Sequence, residues 1–83
     1  MDLRPNDLFE RAKRALMAGD AAAAADDARV IVRIAPTAWA AHYLLAMAQA
    51  ANGRPDAALE HYRRTVELNP DHADAWLNLS LAE

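Results

Sequence analysis

Residues 37–70 read TAWAAHYLLAMAQAANGRPDAALEHYRRTVELNP. Four residues of this stretch answer others found 34 positions earlier: Ala46 repeats Ala12, Gly53 repeats Gly19, Ala58 repeats Ala24, and Pro70 repeats Pro36. A period of that length belongs to arrays of paired helices, in which each unit buries its apolar face against the next. The stretch is therefore one unit, and its grammar reads outward into the rest of the chain.

Inside the unit, Thr37 is placed to cap a helix from Ala38 to about Ala51, ended at Asn52 and Gly53, where glycine adopts a left-handed conformation without steric cost. Pro55 suits the first position of the next helix, because the N–H that proline lacks would find no partner there. That helix runs to Leu68 and Pro70 ends it. Upstream, a helix starts after Pro5, carries Leu8, Phe9, Ala12, Ala15 and Leu16 at helical spacing, and stops at Gly19. Asp20 caps a second helix, Ala21 to about Ile34, by accepting from free backbone N–H groups. Downstream, Asp71 is placed to cap a fifth helix that reaches the chain end. Connections this short force neighbours to pack antiparallel. The expected fold is all-α: a right-handed superhelix of antiparallel hairpins with five helices in a single domain, with units at about 5–36 and 37–70 and a half unit or capping helix at 71–83.

Composition narrows function. The 83 residues are 54% apolar and 25% charged, with alanine dominating, a mixture suited to closely packed helices and poor for strands. Without cysteine there is no disulfide framework, thiolate metal site or thiol catalysis. Net charge is −3, and Arg11, Lys13, Arg14, Arg63 and Arg64 sit among acids, so no face offers the clustered cations that nucleic-acid binding requires. The first residues lack the basic start and apolar core of a signal peptide, and no apolar run is long enough for a membrane, which points to a soluble, cytoplasmic protein with no membrane partner.

The recurring positions resemble the tetratricopeptide repeat, a 34-residue pair of helices A and B, over residues 5–83. Ala12, Ala46 and Ser80 stand where the family brings helix A close to helix B, and Ala24 and Ala58 hold the matching small position on helix B. The segment from Asp74 to Ala82 resembles the start of a repeat, and Leu68-Asn69-Pro70 a repeat end. Departures concentrate on helix A and in the first repeat: Arg11 stands where Leu45 and Leu79 do, Ala15 and Gln49 replace an aromatic, Ala28 stands in for Tyr62, and His42 for Trp76. They predict a thinned core.

The resemblance implies a concave surface lined by the A helices, used to bind a protein or peptide. Its expected lining in this chain is Phe9, Lys13, Tyr43, Leu44, Met47, Leu77, Asn78 and Leu81, apolar in the middle and suited to an apolar segment or amphipathic helix. Replacing Leu44 and Met47 with Glu is expected to abolish binding while leaving helicity intact. Family members that clamp the terminal carboxylate of chaperone tails need converging cations and amides, whereas the corresponding positions here hold Phe9, Lys13, Leu44, Asp74 and Asn78. That mode is not expected.

Enzymatic chemistry finds no support in the residues. His42, His61 and His72 do not recur at a metal-ligand spacing, and the trio Asp71, His72 and Asp74 reads as a solvated cap. Trp39 and Trp76 read as hairpin-packing aromatics, and Asp26, Asp27, Arg29 and Arg33 as a solvated helix face. Ser80 and Thr65 lack an activating His and acid, and two glycines cannot make a phosphate loop. The sequence thus predicts a non-enzymatic scaffold or adaptor with no cofactor and no metal. Two alternatives stand beside it: an accessory piece of a larger enzyme, because similar repeats precede sulfotransferase and glycosyltransferase domains, and a self-assembly module. The second arises because Leu77 and Leu81 leave the last helix apolar on its outer side, to be covered either by a further helix of a longer array or by another copy in a homodimer.

Overall fold

In the computed structural model, which describes residues 4–83, the chain forms α1 (Pro5–Met17), α2 (Ala21–Ile34), α3 (Trp39–Ala51), α4 (Pro55–Leu68) and α5 (Ala73–Ala82), with no strand among the described residues. Each helix packs on the next, and α1 also touches α3, giving an all-α helical repeat of 39 × 24 × 17 Å. Among the described residues no helix is long and apolar enough to cross a membrane.

Two kinds of turn alternate, and each is copied 34 residues on. After α1 and α3 the chain turns on Gly19 (φ 87°) and Gly53 (φ 75°). Gly19 N–H donates to Leu16 O at 3.1 Å and Asp20 N–H to Ala15 O at 2.8 Å; Gly53 and Arg54 repeat the pair on Ala50 and Gln49 at 3.2 and 2.8 Å. This closure of a helix end consumes carbonyls that would otherwise be orphaned. After α2 and α4, Ala35 (φ −134°, ψ 77°) and Asn69 (φ −140°, ψ 81°) leave the helix because a following proline excludes the helical conformation.

The caps differ from expectation in register. Asp20 accepts from Ala23 N–H at 3.1 Å as foreseen. Thr37 and Asp71, however, do not cap: the N-cap positions are Ala38, with no side-chain bond, and His72, whose Nδ1 accepts from Ala75 N–H at 2.9 Å. The proline turn takes one more residue than the sequence suggests, since Ala38 N–H and His72 N–H close back on Ala35 O and Asn69 O at 3.0 and 3.2 Å. The same turns are tied from above. His42 Nε2–H donates to Pro36 O at 2.8 Å and Trp76 Nε1–H to Pro70 O at 2.6 Å, so one bond is made by two chemically different side chains at equivalent positions.

Between the helices the filling is largely methyl groups. Ala12, Ala24, Ala25, Ala28 and Ala48 pack with Leu44 and Leu45 where α1, α2 and α3 meet. Ala46, Ala58 and Ala75 pack with Tyr62, Val66 and Leu79 where α3, α4 and α5 meet. Ser80 is exposed, unlike the equivalent Ala12 and Ala46, because no described helix packs on α5 as α2 packs on α1 and α4 on α3.

Arg11 does not leave the gap its substitution for leucine suggests. Its guanidinium grips Asp27 of α2 with Nε and a second nitrogen at 2.8 and 2.7 Å, an ion pair where the later units bury Leu45 and Leu79. Asp27 is thereby removed from the solvated helix face to which its spacing assigns it, while Asp26 and Arg29 pair on that face at 3.1 Å. Gln49, in place of an aromatic, is buried and accepts from His61 Nδ1–H at 2.9 Å. His61 in turn stacks on buried His42 with centroids 5.6 Å apart.

Gly19→Ala and Gly53→Ala are each expected to destabilise the fold by about 1–2 kcal/mol, read by urea denaturation. No atom crowds either position, so the cost is one of backbone conformation alone. A pH series should show two declines. Burial holds His61 below its ordinary value, so its neutral form supports the fold above pH of about 6.5 and that support is lost as pH falls through the lowered value. The Arg11 guanidinium holds the Asp27 carboxyl below the usual range, so the ion pair contributes fully above pH of about 4 and is lost on further acidification. Asp27→Asn should remove the second decline and leave the first.

Candidate functional site

Two registers of the repeat fall on one side of the helix stack. Phe9, Tyr43 and Leu77 are equivalent, as are Lys13, Met47 and Leu81, and within each helix the two members lie four residues apart on one face. The first two units turn these residues toward each other. Between α1 and α3 lies a groove of about 490 Å³, walled by Phe9, Lys13, Leu16 and Met17 on one side and by Ala40, Tyr43, Leu44 and Met47 on the other. Trp39 and His72 close one end of it.

Each wall is held from behind. Phe9, Leu16 and Met47 pack against the alanine-rich cluster under the groove. Lys13 reaches over the Phe9 ring, its Nζ 5.3 Å from the centroid, and makes an exposed 3.4 Å contact with Glu10. Tyr43 is fixed by the Tyr62 ring at 6.1 Å, the His72 ring at 4.7 Å, and Asn78, whose Nδ2 donates to the Tyr43 hydroxyl at 3.1 Å. Burial, with the Asp74 charge nearby, pushes the Tyr43 phenol up, so it is neutral at physiological pH. The groove thus presents apolar and aromatic surface, two flexible methionines and one cation. Apolar surface of this kind is stabilised by exclusion of water, and methionine side chains fit irregular shapes.

Of the eight residues singled out in the sequence, Phe9, Lys13, Tyr43, Leu44 and Met47 line this groove. Asn78 and Leu81 border a separate cavity of about 240 Å³ with Ala50, Pro55, Ala58, Tyr62 and Ala82. Leu77 stands exposed on α5. Leu44 forms the floor and not the rim: it is 2% exposed and packed in the core, so the expectation that it can be replaced by Glu without loss of helicity does not hold.

Leu16 and Ala40 line the groove as well, at groove-facing positions of the helical pattern, and three further lining residues escaped sequence reasoning. Met17 ends α1 at 87% exposure, beside a terminus that periodicity locates poorly. Trp39 and His72 fell to structural roles, as hairpin packing and a solvated cap, yet they meet edge to face at 4.9 Å as one end of the groove. The available signal was the second proline turn: a chain reversed at Pro70 must lay residues 71–73 back over the start of α3. Among the described residues no group of three or more His, Cys, Asp or Glu side chains is gathered to hold a metal ion.

Compared with known families, residues 39–82 match the model of the tetratricopeptide repeat. No curated protein matches the chain.

Leu44→Glu should lose the cooperative helical transition seen by circular dichroism, since an unpaired buried charge costs at least about 3 kcal/mol. Met17→Glu should keep stability within about 0.5 kcal/mol of the parent.

Proposed function

The chain belongs to the tetratricopeptide-repeat family, whose repeats generally mediate protein–protein interaction, and we propose that this one is a scaffold or adaptor that takes an apolar protein segment, as an amphipathic helix, into the groove between α1 and α3. The observation that carries the reading is the groove itself: a concave wall of Phe9, Leu16, Met17, Tyr43 and Met47, in which Phe9, Leu16, Tyr43 and Met47 rest on the core with one side and turn the other outward. A helix with apolar side chains at i, i+3 and i+4 presents a stripe of matching shape. The two methionines adapt to different anchors, and Lys13 at the rim favours an acidic residue beside the stripe.

Burying one large apolar side chain contributes about 1.5–3 kcal/mol, so a few anchors outweigh the cost of ordering a short helix. Met17→Glu and Tyr43→Ala are each expected to weaken binding of an amphipathic helical peptide at least about tenfold in calorimetric titration. Val30→Glu, on an exposed position of α2 outside the groove, should leave affinity unchanged. Equal affinity for all four proteins would overturn the reading.

A further inference from the structure

The groove between α1 and α3 has no acidic lining residue and one cation, Lys13. Its nearest counter-charge within the chain is the exposed, 3.4 Å contact to Glu10, a geometry that contributes little. At the other end of the stack the charge is reversed. From Thr65 to Glu83 the chain carries no Lys or Arg, and Asp71, Asp74 and Glu83 flank or lie on α5.

Helix α5 turns out three large apolar side chains, more than any other helix among the described residues. Trp76, Leu77 and Leu81 are 48%, 59% and 75% exposed. Asp74, Leu77 and Leu81 stand at i, i+3 and i+7, which places one acid and two leucines on a single stripe. That is the ligand chemistry the groove asks for: two apolar anchors and an acid to face Lys13. Within one molecule Leu77 and Leu81 do not line the groove, since its outer wall is α1 and α3 lies between α1 and α5.

We infer that the occupant of the groove is α5 of a second copy of this chain, the two copies exchanging the contact about a two-fold axis, an inference that rests on the reading of the groove as a docking surface. Leu77 and Leu81 of each copy enter the other's groove against Met17, Tyr43 and Met47, and Asp74 pairs with Lys13. The symmetry makes every contact twice and closes the assembly, leaving neither groove nor α5 open for further growth. Pairing α5 directly on its counterpart is disfavoured, since it gathers Asp71, Asp74 and Glu83 of both copies with no cation among them.

The test is mass by light scattering over a dilution series of the whole chain and four variants, with folding checked by circular dichroism. The parent is expected to be a dimer and Leu77→Asp with Leu81→Asp a monomer. Met17→Glu, which alters the groove alone, should weaken dimerisation roughly a hundredfold because both contacts are lost. Lys13→Glu should weaken it about fivefold to tenfold, and Lys13→Glu combined with Asp74→Lys should recover it. A monomeric parent would overturn the inference, as would a dimer that Met17→Glu and Lys13→Glu leave untouched. The groove reading fails separately: if a monomeric parent still binds the amphipathic peptide with sensitivity to Met17→Glu, the reading stands and the inference alone falls. If neither association nor peptide binding responds to Met17→Glu, both fall.

Discussion

The seams between the helices are filled by single methyl groups, and the rest of the molecule follows from that closeness. Ala12, Ala24, Ala28, Ala46, Ala48, Ala58 and Ala75 are all but fully buried. Where facing positions are this small, the helix backbones approach and few large side chains are needed to close the interior. Larger apolar groups are then left at the borders of the seams. Phe9, Leu16, Tyr43 and Met47 are partly buried, touching the core with one side and the groove with the other. A leucine-filled seam would spread the helices and draw those side chains inward, at the expense of the groove.

An alanine-rich interior has little apolar area per residue to stabilise it, and polar contacts supplement it where the repeat pattern lapses. Arg11 and Asp27 tie α1 to α2 through a two-pronged ion pair at the position of a leucine. Gln49, His61 and His42 make a polar layer between α3 and α4, with Thr65 Oγ1–H donating to His61 O at 2.7 Å. Since a carbonyl only accepts, the bond to Pro36 O puts the His42 proton on Nε2, and Nδ1 is buried without a partner. Such a layer is less forgiving than an apolar one: a proton added to His61 meets the His42 ring and, from α2, Arg29. The departures from the family pattern therefore alter how the seams are held and leave the helix arrangement in place.

The groove and α5 illustrate how a repeat acquires distinct surfaces from equivalent positions. Phe9, Tyr43 and Leu77 share one register, yet the first two face a neighbour across the groove while Leu77 faces outward. Trp76 and His42 share another and make the same bond to a proline carbonyl, but His42 is buried under α4 and Trp76 is half exposed. The difference lies in what packs beside each helix. A residue's register sets its direction, and its neighbours set its burial.

The sequence by itself determined the helices, their order and their class of packing, because period, proline and glycine act locally. Gly19 and Gly53 take a left-handed conformation that other residues resist, Pro36 and Pro70 bar continuation of a helix, and alanines 34 residues apart name the close contacts. Phe9, Lys13, Tyr43 and Met47 were legible as groove residues for the same reason, being fixed by helical phase. Tertiary structure alone decided the rest. It put Leu44 on the floor and not at the rim, carried Asn78 and Leu81 to another cavity, brought Trp39 against His72 across 33 positions of chain, and joined Arg11 to Asp27. Each depends on the distance and angle between helices, which arise from the sum of many small contacts and are written in no single stretch of the chain.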